Sequence, residues 1–211
     1  MATMIEAANV SVTVDGQSLL APVSFTVDEG QALAVRGANG AGKTTLLRTV
    51  AGFQRPSTGS IRLSGTRVDE KNRAIRREVC ALIGFPAIAP DLTLREQLRF
   101  IASSWGILGS SADEAADGVL AELGIDLLAQ RFVHELSSGQ TQLFSLATAL
   151  VRPSAVLILD EPEQRLDADR RGLVIAAVNL RKAAGSTVIF ASHNAQLVNG
   201  IADETLTLAG Q

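Results

Sequence analysis

Residues 37–45 read GANGAGKTT, and this glycine-rich stretch lies between the apolar segment QALAVR and a segment whose apolar residues have helical spacing. Glycines in a turn between a strand and a helix let backbone amides approach phosphate oxygens, and the helix N-terminus adds partial positive charge. A glycine-rich turn without a ligand is the simpler alternative, but it does not account for the full motif in this context. The stretch therefore predicts a phosphate-binding loop.

The residues of this loop have distinct predicted roles. Lys43 is expected to neutralise the β- and γ-phosphates of a nucleoside triphosphate, and the Thr44 hydroxyl to ligate Mg²⁺. The residues expected to bind the nucleotide are Gly37, Ala38, Asn39, Gly40, Ala41, Gly42, Lys43, Thr44 and Thr45.

A second candidate site lies where the apolar run VLIL ends in Asp160, Glu161 and Pro162. Taken alone, this pattern more often marks a turn or the start of a helix. With a phosphate loop upstream, a cation is the better explanation, because buried carboxylates are costly unless they are compensated. We expect Asp160 to hold Mg²⁺, directly or through water. Glu161, on the other side of an extended backbone, is expected to polarise a water for attack on the γ-phosphate.

His193 follows the last long apolar run, in IFASHN, and is one of two histidines. Alone, it would be an ordinary residue at a strand end. At the carboxyl edge of a sheet that also carries a phosphate site, it is predicted to hydrogen-bond the γ-phosphate or the attacking water. His134 has no such context and is assigned a structural role.

The stretch HELSSGQTQ at residues 134–142 contains no obvious nucleophile or metal-ligand cluster. Ser137 and Gln140 fit a capping box, and apolar residues follow at helical spacing. From these residues alone, the segment is predicted to be the start of a helix.

The order of the predicted elements indicates an α/β fold. Strand patterns dominate as far as Gly65, helical patterns extend from about Thr93 to Leu150, and the strand patterns AVLILD and STVIFAS bracket a helix over about 167–184 before the short strand ETLTLA. The chain therefore reads as a doubly wound core interrupted by a helical insertion.

Composition limits the partners and the compartment. The net charge of -3 and pI near 5.4 leave no basic surplus for a nucleic-acid backbone, so no nucleic-acid partner is expected. One cysteine, Cys80, cannot form an internal disulfide, and the start MATMIEAANV does not have the layout of a secretory signal. No run approaches the roughly 18 apolar residues of a membrane span. We therefore expect a cytoplasmic protein.

Taken in order, these motifs resemble those of the ATP-binding cassette (ABC) ATPases over nearly the full length of the chain. GANGAGKTT is similar to the phosphate loop of that family, LSSGQ to its signature, VLILDEP to its magnesium and base strand, RLD to its interface loop and His193 to its switch histidine. TVAGFQRPSTGSIRLSGTRV and DLTLREQL look like the strand-helix connection and the start of the helical subdomain.

The resemblance implies one ABC ATPase domain over residues 1–211, with a phosphate-loop NTPase core. The core, over 1–92 and 151–211, would combine a mostly parallel central sheet with an N-terminal antiparallel β region, and about 93–150 would form an α-helical subdomain. Two cassettes, identical or different, would pack head to tail around two ATP molecules. The signature residues would then close in trans over the ATP of the partner, with Asp167 along the interface; they are Ser137, Ser138, Gly139 and Gln140.

The same resemblance implies an activity and a place in the cell. ATP and Mg²⁺ would be bound, ATP would be hydrolysed to ADP and phosphate, and the resulting motion would drive separate transmembrane permease subunits. The chain would sit on the inner face of the cell membrane through its permease. The segment DLTLREQLRF and the preceding IGFPAIAP loop are a candidate docking surface, with an ordinary subdomain helix as the equal alternative.

Four features of the sequence depart from the family pattern. The loop IGFPAIAPDLT has Pro86 and Ala87 where a glutamine is usual, and Gln97 lies too far along. No aromatic residue for adenine stacking occurs near Val14. Ser138 replaces a glycine of the signature, and Arg165 replaces a small residue near the dimer axis. These departures keep open a weakly hydrolysing regulatory module of the same family. Kinases with phosphate loops have no use for LSSGQ, and ABC proteins of DNA repair or translation usually carry coiled coils or two cassettes.

Overall fold

The structure is a computed structural model that describes residues 2–69 and 72–209. The chain divides into two compact units. One comprises Met1–Ile83, Ser154–Glu161 and Lys182–Gln211, and the other comprises Gly84–Pro153 and Pro162–Arg181.

The first unit begins with an antiparallel sheet in the order β2-β1-β4-β5. Its strands are β1 (Thr3–Val14), β2 (Gln17–Asp28), β4 (Thr58–Leu63) and β5 (Thr66–Arg67). β1 and β2 are joined by a two-residue turn, Asp15 and Gly16, with φ of 49° and 80°. Both angles belong to the turn type whose twist matches that of the flanking strands. This hairpin fixes the register that pairs Val14 with Gln17.

A five-stranded parallel sheet in the order β6-β7-β8-β3-β9 forms the rest of this unit's framework. Its strands are β3 (Ala32–Arg36), β6 (Val79–Leu82), β7 (Val156–Asp160), β8 (Thr187–Ala191) and β9 (Glu204–Thr207). Nearly every residue of β3, β7 and β8 is buried, as expected for parallel strands that are covered on both faces. Since these three strands are neighbours, their carboxyl ends meet at one edge.

Three helices accompany these sheets: α1 (Lys43–Val50), α2 (Arg73–Glu78) and α7 (Ala195–Ile201). α1 has Leu46, Leu47 and Val50 fully buried in the core of the unit. The sequence did not predict α2 and α7, because fewer than two turns leave no helical periodicity to detect.

The second unit is helical. It contains α3 (Leu94–Ser104), α4 (Ser110–Glu122), α5 (Ser138–Leu150) and nearly all of α6 (Ala168–Ala183), with short 3-10 helices at Asp126–Leu128 and Val133–Glu135. Its core is made of side chains with almost no exposed surface: Leu94, Leu98, Ala102, Ala112, Ala116, Leu120, Leu143, Phe144 and Leu146. Across residues 2–69 and 72–209, no helix combines the length and the apolar character that a membrane crossing requires.

Ion pairs link the helices of this unit. Arg95 of α3 donates from Nε to Asp117 Oδ1 at 2.6 Å and pairs with Asp113 at 3.0 Å, both on α4. Arg181 of α6 donates to Glu122 at 2.6 Å and to the Leu150 carbonyl. These contacts tie α3 and α6 to α4, and α6 to α5.

Candidate functional site

The predicted phosphate loop leaves the carboxyl end of β3 and enters α1 at Lys43. Gly42 caps the helix with φ of 94°, in the left-handed region that favours glycine, and a Cβ there would lie 2.6 Å from the Leu19 carbonyl oxygen. Since the cap is a glycine, no side chain stands between the first amides of α1 and an anion. The loop thus has the open helix N-terminus that phosphate binding requires.

Lys43 is folded back into this loop. Its ammonium donates to the carbonyls of Gly37 at 2.9 Å and Ala38 at 3.1 Å, and the residue is only 7% exposed. A buried ammonium needs acceptors, and phosphate oxygens are stronger acceptors than carbonyls. The side chain is therefore held where it can exchange carbonyls for phosphate.

Thr44 and Asp160 are adjacent although they lie far apart in sequence. The Thr44 Oγ1 donates to Asp160 Oδ2 at 2.7 Å. Burial and the neighbouring charge of Glu161 raise the pKa of Asp160, while the hydrogen bond from Thr44 and the charge of Lys43 oppose the rise. The positive charge around Asp160 is therefore too small to offset its burial. A hydroxyl beside such a carboxylate provides oxygen ligands, which Mg²⁺ prefers. The two side chains fit the predicted metal.

Glu161 does not lie on an extended backbone, so that part of the prediction was wrong. β7 ends at Asp160, and Glu161 has φ of 47° while its amide donates to the Ala191 carbonyl at 2.9 Å. This left-handed conformation costs about 1 kcal/mol for a residue other than glycine, and such strain is concentrated at functional sites. The turn aims the carboxylate sideways, toward the end of the adjacent strand β8.

His193 lies at that strand end. Its Nε2 is 3.4 Å from Glu161 Oε1, and the side chains are 47% and 26% exposed. The next residue, Asn194, caps α7 by accepting from Leu197, and the Asn194 amide donates to the buried Ser192 hydroxyl. Sequence reasoning missed Ser192 and Asn194, although an asparagine before the apolar pattern AQLV is a cap signal.

A cavity of about 490 Å³ opens over the phosphate loop. Its wall also includes the first residues of β2, which sequence reasoning missed because only the β1-β2 hairpin brings them to the loop. The lining residues are Gln17, Ser18, Leu19, Asn39, Gly40, Gly42, Lys43, Thr44, Thr45 and Glu161. The first unit therefore brings residues of the predicted phosphate loop, Thr44 among them, and the predicted base Glu161 to one open cavity.

The signature residues lie in the second unit. Ser137 caps α5 with the predicted capping box: Gln140 Oε1 accepts from the Ser137 amide at 2.8 Å, and the Ser137 hydroxyl accepts from the Gln140 amide at 3.4 Å. Gly139 is buried, and a Cβ there would lie 3.0 Å from the Arg170 guanidinium and 3.2 Å from the Arg165 carbonyl. Ser138, in contrast, is exposed. The departure from glycine thus falls where a side chain has room within one chain.

The predicted interface loop packs against this turn. Asp167 is exposed, and its Oδ1 accepts from the Arg170 amide at 2.9 Å. Gln142 of α5 donates to the Pro162 carbonyl at 3.1 Å, and Arg165 has φ of 63°. The second unit therefore holds the signature turn and the Asp167 loop together.

Two residues within the candidate docking segment, Arg95 and Gln97, form contacts with other residues of the second unit. Arg95 is occupied by Asp113 and Asp117, as described above. Gln97 is 4% exposed, and its Oε1 accepts from the Ala89 amide at 2.9 Å, so it ties α3 to the preceding loop. Sequence reasoning missed this role, for which an isolated glutamine in a helix gives no signal.

Comparisons with known proteins agree on one family. The model of the ABC transporter family matches residues 20–164. A putative ABC transporter ATP-binding protein of Brucella suis is 32% identical over 99% of this chain and 87% of its own length. An Fe(3+) ion import ATP-binding protein of Escherichia coli is 30% identical, and a Nod factor export ATP-binding protein of Burkholderia pseudomallei is 34% identical. The chain covers 97% and 85% of its own length in these two matches but spans only 59% of each relative.

Solved structures show the same fold. The ATP-binding subunit of an ABC transporter superposes with a TM-score of 0.87 at 27% identity, covering 98% of this chain and 86% of that one. A dimeric ATP-binding cassette in a post-hydrolysis state bound to ADP and Pi gives a TM-score of 0.86 at 20% identity, covering 97% and 94%. These matches confirm the predicted α/β fold, and the chain belongs to the ABC transporter family as one of its ATP-binding cassettes.

Proposed function

We propose that this chain is an ATP-hydrolysing cassette subunit that dimerises on ATP and powers a membrane transporter through separate transmembrane subunits. The observation that carries the proposal is the convergence of Lys43, the Thr44–Asp160 pair and the Glu161–His193 pair at one sheet edge. These are the positively charged, metal-binding and proton-accepting groups that phosphoryl transfer to water requires.

The side chains divide the reaction among them. Lys43 and the amides of the loop bind the β- and γ-phosphates of ATP. Glu161 accepts a proton from the attacking water, and His193 at 3.4 Å orients this carboxylate and contacts the γ-phosphate or the water. Thr44 and Asp160 would hold Mg²⁺, which when bound neutralises phosphate charge. ADP and inorganic phosphate are the products.

The proposed second copy completes the site. Ser137, Ser138, Gly139 and Gln140 of one copy would close over the ATP held by the phosphate loop of the other. The first turn of α5 offers backbone amides to the γ-phosphate. The capping box does not engage all of them, because it uses only the backbone amides of Ser137 and Gln140. Asp167, held beside the signature turn, would lie along the same interface.

Permease subunits are the proposed output of this motor. The relatives from Escherichia coli and Burkholderia pseudomallei are named for import and for export, respectively, so the family resemblance fits either direction. We place the chain at the inner face of the cell membrane, docked on a permease through segment 83–100. Phe85 and Phe100 in this segment are 63% and 68% exposed. Apolar side chains exposed to this extent suit a protein contact.

The test is phosphate release by the purified full chain. Glu161→Gln keeps the size of the side chain but removes the proton acceptor, so turnover is expected to fall by at least about 100-fold. ATP-dependent dimers, measured by light scattering, should persist. Glu29→Gln, a change at an exposed turn between β2 and β3, is the matched control and should behave like the wild type.

The same experiment decides between this proposal and the regulatory alternative. A regulatory module would close on ATP without appreciable phosphate release, as the missing glutamine in IGFPAIAP would suggest. Magnesium-dependent turnover that disappears in Lys43→Ala excludes that alternative. Turnover that is unchanged in Glu161→Gln overturns the assignment of the base.

A further inference from the structure

The cavity over the phosphate loop offers no aromatic surface to an adenine ring. None of the ten residues that line it, all within the described ranges, is aromatic. Val14, at the hairpin beside the cavity wall, is 44% exposed but aliphatic, and the chain contains no tyrosine. Because stacking is a principal source of affinity for a base, its absence here leaves the adenine of ATP without that contact in its own chain.

A pair of stacked rings lies elsewhere, directly before the signature turn. The rings of Phe132 and His134 are 5.7 Å apart at their centroids and inclined by only 10°. His134 is exposed, whereas Phe132 is half-buried beneath it. Two parallel rings with the outer one open to solvent form a flat surface of the kind on which a nucleobase stacks.

The backbone under this ring pair is held firmly. The Phe132 amide donates to Glu135 Oε2 at 2.8 Å, and Arg131 donates to the other oxygen of the same carboxylate at 2.8 Å. Phe132 also forms a bridge with Thr93, at the start of α3. The pair is therefore preorganised, and ordering the rings on binding costs little entropy.

The position of the pair suggests its ligand. Only two residues separate His134 from Ser137, which caps α5 and, in the proposed dimer, approaches the γ-phosphate of the ATP bound to the other copy. When the signature turn of one copy contacts the triphosphate, neighbouring surfaces of that same copy are left to contact the nucleoside. Resting on the proposed function, we propose that the Phe132–His134 ring pair, the adenine platform, stacks on the adenine of the ATP held by a second copy of this chain.

The platform differs measurably from a contact made by the copy that binds the ATP. It acts only after two copies meet, so it contributes to dimerisation by ATP and nothing to ATP binding by a single copy. Loss of the outer ring should raise the ATP concentration for half-maximal dimerisation by about tenfold, as expected for one stacked base. A larger ring should lower that concentration or leave it unchanged.

The experiment uses the full chain with Glu161→Gln, in which ATP is not consumed. Light scattering gives the ATP concentration for half-maximal dimerisation, and equilibrium binding at protein concentrations below dimerisation gives the affinity of the single copy. His134→Ala and His134→Trp are compared with Phe53→Ala, which removes an exposed ring that follows α1. Thermal unfolding midpoints identify any variant whose fold is disturbed, and Phe132→Leu tests the inner ring independently.

We expect the ATP concentration for half-maximal dimerisation to rise about tenfold in His134→Ala and not to rise in His134→Trp or Phe53→Ala. The affinity of a single copy for ATP should be the same in all of them. An ATP analogue with an etheno-modified, fluorescent adenine should be quenched on dimerisation by His134→Trp more than by His134→Ala. An unchanged dimerisation concentration in His134→Ala overturns the platform, and a matching loss of single-copy affinity overturns its action in trans. If the parent chain does not dimerise with ATP at all, the proposed function fails and the platform fails with it.

Discussion

The Thr44 hydroxyl donates a 2.7 Å hydrogen bond to Asp160, joining the first turn of α1 to the end of β7 across 116 positions of sequence. The contact brings together two oxygen atoms of the kind that Mg²⁺ prefers as ligands. The oxygen that accepts this hydrogen bond belongs to a carboxylate whose pKa is raised by burial. Both features favour Mg²⁺, because a bound cation would neutralise the Asp160 carboxylate more fully than the hydrogen bond from the hydroxyl does.

Removing the Thr44 hydroxyl should therefore weaken magnesium use. Thr44→Val keeps the shape of the side chain, and we expect it to need at least about ten times more Mg²⁺ for half-maximal phosphate release. Thr44→Ser keeps the hydroxyl and is the matched control. Equal Mg²⁺ dependence in Thr44→Val and the wild type would contradict the assignment of Thr44 as a ligand.

Gly42 is expected to be intolerant of any side chain. Gly42→Ala combines a positive φ with a 2.6 Å approach to the Leu19 carbonyl, so β2 and the loop must move apart. We expect a loss of about 2 kcal/mol or more in the free energy of unfolding, together with weaker ATP binding. Gly16→Ala is the control for conformational strain alone, since Gly16 has φ of 80° and open space around it. Denaturant unfolding of the two variants measures the difference, and equal losses would argue against a close approach at Gly42.

Asp203 gives a prediction for the dependence of stability on pH. Burial favours the neutral form, but hydrogen bonds from Lys182 at 2.8 Å and from the Ala32 amide at 2.8 Å prevail and lower the pKa of Asp203. Since the folded pKa lies below the unfolded one, about 3.9, the stabilisation is present above that value and is lost as pH falls through the folded pKa.

Solvent screening limits the effect of Asp203, whose side chain is 39% exposed. Asp203→Asn should accordingly lower the free energy of unfolding by at most about 1 kcal/mol at pH 7 and by progressively less toward pH 3. Urea unfolding across this range measures the effect. Glu204→Gln, at the adjacent exposed position, should show little change at any pH. A constant difference from pH 7 to pH 3 for Asp203→Asn would contradict the origin of the effect in ionisation.

Arg95 is unsuited to a test of docking, because its side chain forms ion pairs with α4. Charge reversal at Arg95 would break its pairs with Asp113 and Asp117 and place like charges together between α3 and α4. We expect Arg95→Glu to lower the free energy of unfolding, and Asp117→Arg to restore part of that loss in the double variant. A double-mutant cycle in unfolding free energy measures the coupling, and a coupling of zero would contradict the contact.

Docking itself is better tested at a side chain without such a role. Phe100 is 68% exposed on α3, and Phe100→Ser should reduce capture of a permease from native membranes with little change in stability. Unchanged capture would count against this face as the docking surface.

The sequence was sufficient to predict where the strands end and which side chains lie at those ends. Lys43, Thr44, Asp160, Glu161 and His193 all follow or precede apolar strand patterns, and parallel strands bring their carboxyl ends to one edge. The capping box at Ser137 was also predictable, because both of its partners lie within one turn.

What could not be predicted depends on contacts between distant segments. The left-handed conformation of Glu161 is imposed by its hydrogen bond to Ala191 on the neighbouring strand. The β1-β2 hairpin sets the approach of Leu19 to Gly42, and the pairs of Arg95 depend on the packing of α4 against α3. Local patterns contain no information about such partners, which only the folded chain brings together.

We propose that ATP is hydrolysed between two copies of this cassette. The most direct measurement is the rate of phosphate release per chain as a function of protein concentration, with the oligomeric state followed by light scattering in the same samples. The rate per chain should rise with concentration and level off as dimers predominate, and Glu161→Gln should dimerise with negligible release. A constant, magnesium-dependent rate per chain in samples that contain only monomers would contradict the account.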